Sequence, residues 1–132
     1  MSSLLGFYEN VFKAHDAVVV SKTPTGEDVC YGLNYPGGGV VVQVSETNAR
    51  HVVFWQQIHF DFDVTPEVRN RLLERVNQHN SQHYCVKLLL LPHGTTLQVS
   101  LQLIVAKPED VRDSFVLFCR MVSDAATAFS TP

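Results

Sequence analysis

The chain has 132 residues, 45% of them hydrophobic and 17% charged, a balance that fits one globular domain able to bury its own core. Its formal net charge is -3, its pI is near 6.0 and its ten Lys and Arg are scattered singly, so it offers no attractive field for a phosphate backbone. Direct nucleic-acid binding is therefore not expected. No apolar run is long enough to span a bilayer, and Met1 to Glu9 lacks the basic start of a signal peptide, so no membrane contact is expected. Cys30, Cys85 and Cys119 are odd in number, far apart and set among apolar neighbours. They suit reduced, buried thiols in a cytoplasmic protein.

From Ser3 to His15, Leu4, Leu5, Tyr8, Val11 and Phe12 fall on one helical stripe, with Ser2 or Ser3 placed to cap the free N–H groups. The period then changes to two: Val29, Tyr31, Leu33 and Tyr35 alternate with Asp28, Cys30, Gly32 and Asn34. Turn residues at Pro24–Asp28, Pro36–Gly39 and Glu46–Arg50 separate strands predicted at Ala17 to Lys22, Val29 to Tyr35, Val40 to Ser45 and Val52 to Phe60. Connections this short allow only antiparallel hairpins.

Thr65-Pro66-Glu67 predicts a helix start, with Thr65 as N-cap, Pro66 where its missing N–H is harmless and Glu67 at the positive dipole end. Val68, Leu72, Leu73 and Val76 form its buried stripe. The helix is expected to fray or end around Asn77–Ser81, whose side chains compete for backbone hydrogen bonds. Two strands follow around Pro92-His93-Gly94-Thr95. The second alternates Leu97, Val99, Leu101, Leu103 and Val105 with polar residues. Pro108-Glu109-Asp110 then opens a helix whose Val111, Phe115, Phe118, Val122, Ala125 and Phe129 step by three and four.

The order α-β-β-β-β-α-β-β-α with one-sided strands predicts an α+β two-layer sandwich, an antiparallel sheet with helices on one face. Residues 1–129 form one domain, and Ser130 to Pro132 read as a loose tail.

No catalytic or cofactor motif emerges. Gly37-Gly38-Gly39 joins two strands rather than leading into a helix, no nucleophile elbow is present, and neither an enzyme nor a cofactor is expected. Two weak metal candidates exist. His79 and His83 would share one face if the helix ran that far, and His59, Asp61 and Asp63 fall on one side of a strand. The first lacks the flanking ligands of a zinc site, and solvated strand-edge polarity accounts better for the second. A small-molecule or metal protein using His59, Asp61, His79 and His83 is the alternative class. Trp55 lacks the interleaved basic residues of a base-stacking platform and fits core or interface packing.

The stretch from Val64 to Phe129 combines a Pro-started helix ending in Val76-Asn77-Gln78-His79-Asn80, the segment Tyr84-Cys85-Val86-Lys87-Leu88, a hairpin, an alternating strand and a last helix closing in Asp124–Phe129. This resembles the YbjN-type domain family, whose fold is similar to type III secretion chaperones; Asn80 matches the Asn such domains carry after the helix. The resemblance implies a homodimer that binds a partner polypeptide without catalysis, pairing through Pro66 to Gln82 and Tyr84 to Leu91. The residues themselves add one observation. With Tyr84, Val86, Leu88 and Leu90 turned inward, the outer side carries Cys85, Lys87, Leu89 and Leu91, more apolar than solvent requires. An interface would explain that excess, as would cover by a helix or loop. Asn80, Cys85, Lys87, Leu89 and Leu91 are the candidate dimer or partner surface.

Overall fold

The computed structural model describes residues 4–26, 28–45, 51–82, 86–93, 95–104, 107 and 109–132. The elements run α1 (Leu4–Ala14), β1 (Val18–Thr25), β2 (Asp28–Tyr35), β3 (Gly38–Ser45), β4 (His51–His59), α2 (Pro66–Gln82), β5 (Val86–Leu90), β6 (Thr96–Ile104) and α3 (Asp110–Ala128). The order matches the one predicted from periodicity. The expected caps Ser2 and Ser3, the turn Glu46–Arg50, and Tyr84, Val105 and Pro108 lie outside the described residues.

Short turns fold β1 to β4 into an antiparallel meander. Gly26 supplies the first turn with φ 65, a left-handed conformation that costs glycine nothing. The strand order is β1-β2-β3-β4-β6-β5, antiparallel throughout, so β6 inserts beside β4 and leaves β5 on the far edge. β1 reaches Thr25 rather than Lys22. Pro24 is tolerated in it because β1 is the other edge, where a missing N–H breaks no central ladder.

Alternation sends Tyr31, Leu33, Val40, Val42, Val52, Phe54, Leu88, Leu97, Val99 and Leu101 to one face, where they are buried against the helices. Phe115 of α3 sits at the centre, with ring centroids 5.9 Å from both Phe12 and Phe54 and 6.1 Å from Tyr35. Tilted and edge-on pairs at such distances add to the burial of the rings themselves.

The start of α2 is as predicted: the Val68 amide donates to Thr65 Oγ1 at 3.2 Å. Its end is not. The helix continues through Asn77–Ser81 to Gln82, because neighbouring elements hold its last turns. Val76 is buried, the Arg75 guanidinium lies 4.7 Å over the Phe129 ring and donates to the carbonyls of Ala128 and Thr131, and the Asn80 carboxamide bonds to β5 rather than to its own backbone. Packing here overrides local propensity.

Candidate functional site

All the helices lie on one side, so the opposite face of the sheet is uncovered. The ladder registers place Ser21, Gly32, Val41, Trp55, Ser100 and Lys87 in one row across it. The next row holds Thr23, Cys30, Gln43, Val53 and Gln102, and the row on the other side falls into two parts, Val18, Asn34 and Gly39 on one and Gln57, Gln98 and Leu89 on the other, because β3 and β4 are no longer paired there. Lys87, on the edge strand, is the single Lys, Arg, Asp or Glu in these three rows. A protein surface bathed in water is normally rich in charge, whereas the centre of an interface is depleted of it and enriched in aromatic residues. Trp55 and Val41 stand half-buried in the middle. Asp28 lies one row further out, where its carboxylate accepts from Gln43 Nε2 at 2.6 Å.

Among the predicted surface residues, Lys87 and Leu89 are exposed on this face, with Leu89 at 53%. Leu91 is half-buried just beyond β5, its amide donating to the Thr96 carbonyl at 3.0 Å, and Cys85 lies outside the described residues. Asn80 does something different. Its Nδ2 donates to the Leu88 carbonyl and its Oδ1 accepts from the Leu88 amide, both at 2.8 Å, so a side chain fills the outer edge of β5 as another strand would.

A second feature lies where β3 and β4 part. Their ladder joins only Val41–Val44 to Val52–Trp55, although β3 begins at Gly38 and β4 runs on to His59. Gly38, with φ 123, bends the β2–β3 hairpin away, and Gln56 ties the hairpin back. Gln56 sits at a core position, 5% exposed; its Nε2 donates to the Gly37 carbonyl at 3.1 Å and its Oε1 accepts from the Tyr35 hydroxyl at 2.7 Å. The fork opens into a cavity of about 660 Å³ bounded by Gly37–Gly39, Val41, Trp55–His59 and, from α3, Val122 and Ala126.

Beside it, burial and the neighbouring Cys119 push the Tyr35 hydroxyl up to about 12, and burial pushes the Cys119 thiol up as well. Both stay protonated at neutral pH, so this cluster holds no thiolate nucleophile. Gln56 was not singled out by sequence reasoning. Its signal was a polar residue in the apolar phase of β4, after Val52 and Phe54.

The metal candidates do not converge on one site. His59 ends β4 with Nδ1 3.0 Å from Thr96 Oγ1, Asp61 and Asp63 are exposed beyond the end of the strand, and His79 is half-buried on α2. His83 lies outside the described residues. Among the described residues no group of three or more His, Cys, Asp or Glu is placed to hold a metal ion.

No known protein-family model matches the chain, and no curated protein matches it either. Among the described residues no helix is long and apolar enough to cross a membrane. The class defined by fold and surface is thus an α+β domain with a six-stranded antiparallel sheet, helices on one face and a bare, charge-poor face on the other.

Proposed function

We propose that this chain is a non-enzymatic protein-binding module of the cytoplasm: a homodimer that holds a partner polypeptide, as the YbjN-type domains and secretion chaperones it resembles would do. The bare sheet face carries this reading, because a charge-poor surface centred on Trp55, with Leu89 standing 53% exposed beside it, matches the make-up of an interface core.

A second copy is the occupant that suits the face best. Six strands about 4.8 Å apart and roughly eight residues long at about 3.3 Å each span on the order of 700 Å². A stable pair needs about 800 Å² from each partner, which the same face reaches once its side-chain relief is counted. A charge-poor face also meets its own copy with little repulsion, although each chain carries a net charge of -3.

Light scattering over a concentration series tests this. A dimer is expected at micromolar concentration, and Leu89→Asp, at a surface position, should shift it to monomer with an unchanged circular-dichroism spectrum. Wild-type protein that stays monomeric, or a Leu89→Asp variant that dimerises as before, would sink the dimer. Failure to recover any stoichiometric protein partner by pull-down from native lysate would count against the holding role.

A further inference from the structure

We infer that the fork between β3 and β4 is the seat for an extended, uncharged segment of the partner polypeptide, which joins the sheet as a strand along Gln57 and His59. This rests on the protein-binding role proposed above and gives the partner a conformation and a chemistry.

The direction of the main chain is the first ground. The Phe60 amide donates to the Thr95 carbonyl at 3.0 Å, on the β6 side of the strand. Residues of an antiparallel strand turn both N–H and C=O to alternate sides, so Ile58 and Gln56 also face β6, whereas Gln57 and His59 face the fork. The ladder with β3 stops at Trp55, and among the described residues no strand lies opposite these two. Two donors and two acceptors therefore line the cavity in the spacing of a strand edge, and an added strand satisfies all four.

The lining supplies the second ground. None of the described residues around the cavity is Asp, Glu, Lys or Arg, so an ionised side chain on the incoming segment would lose water without gaining a partner. The fit is to a neutral chain. Trp55 offers an apolar surface at the inner end of the fork, and the cavity of about 660 Å³ falls within the roughly 300–1,000 Å³ of ordinary ligand sites.

Gly39 is the third ground. A Cβ placed on it would meet only Asn34 Oδ1 at 3.7 Å and the Leu33 carbonyl at 3.9 Å, both ordinary contacts, and its φ is not in the left-handed region. Neither packing nor conformation demands a glycine there. Its missing side chain leaves the fork open. Gln56 acts as a positioning residue: its side chain reaches from β4 to the Gly37 carbonyl and so sets how far the hairpin stands off.

The probe is an acetylated, amidated pentapeptide of alternating threonine and valine, titrated into the full chain and followed by amide-proton NMR. The Gln57 and His59 amide protons should move downfield and gain protection from exchange. Gly39→Val should weaken binding about tenfold or more while leaving the fold unchanged. Methylating the peptide amides on the edge that pairs with β4 should abolish binding, whereas methylating the opposite edge should not.

Unmoved Gln57 and His59 signals at millimolar peptide would overturn the proposal, as would equal binding by peptides methylated on either edge. So would protection of these amides in the peptide-free Leu89→Asp variant, which would show that the fork already satisfies them. If the peptide fails while Leu89→Asp still dissociates the dimer, the fork proposal falls and the protein-binding role stands.

Discussion

Asn80 lies near the end of a helix, where asparagine usually serves its own backbone, yet both polar atoms of its side chain reach Leu88 on the next element. Removing the side chain in Asn80→Ala leaves the Leu88 amide and carbonyl without their partner, and an unmade pair at a part-buried site costs about 1–3 kcal/mol. Urea unfolding should record a loss of that size, and hydrogen exchange should show faster exchange at Leu88. Asn80→Asp distinguishes bonding from packing. Its carboxylate still accepts from the amide but opposes the carbonyl, so it should be as damaging as Ala at neutral pH and regain stability below about pH 4, where a protonated acid donates again. A packing role alone would leave Asp close to wild type. The residue was visible in the sequence as a helix-end and strand-start feature. Its partner eight positions on was not, because the pairing exists only once α2 is docked against β5.

At the scale of elements, periodicity made most of the fold legible. Alternation in Leu97–Leu103 and in Val29–Tyr35 survives as burial on one face, and the three-and-four spacing of α3 survives as an unbroken helix. The end of α2 was misjudged because the Asn-rich composition of its last turns signals competition within the chain, whereas Arg75 on Phe129 and Asn80 on Leu88 are contacts between elements. The bare sheet face followed from one-sided alternation, but the β3–β4 fork did not. It depends on where a ladder stops, which no local pattern encodes.

The knot of Tyr35 from β2, Gln56 from β4 and Cys119 from α3 also gives the fold a pH limit. In the folded chain Tyr35 is raised from 10.0 to about 12, chiefly by burial and then by Cys119, and burial raises Cys119 from 9.0 and Tyr8 from 10.0. Above pH 9 the unfolded chain releases these protons while the folded chain keeps them, so stability falls as pH rises; below pH 9 their contribution is fully present. The urea midpoint should stay level from these groups up to about pH 9 and then decline towards pH 12. Tyr35→Phe should make that decline shallower, and an unchanged slope would remove Tyr35 from the account.

The whole molecule has two sheet edges, and they are treated differently. At β5 the Asn80 carboxamide fills the outer edge, whereas at β1 all eight residues are exposed, with Val18 at 64% and Val20 at 59%. The later half of β1 carries Lys22 and Pro24, and a register shift between Val19 and Ser21 twists the strand. Such devices discourage pairing with other chains, but Val18 to Val20 lie ahead of them. Edge association can thus start at β1 and cannot continue through β5. Two chains joined β1 to β1 would have only the two β5 edges at the ends of their shared sheet, and growth along it would stop there. In Leu89→Asp, where pairing through the bare face is lost, the largest ordered species at high concentration should therefore be a β1–β1 dimer rather than an open polymer. Sedimentation velocity checks this directly. Adding Val20→Lys, which charges the β1 edge, should return that variant to monomer, and adding Asn80→Ala should turn the closed pair into polydisperse aggregate by opening the second edge. Open-ended growth in Leu89→Asp would show that Asn80 does not close β5, whatever its hydrogen bonds contribute to stability.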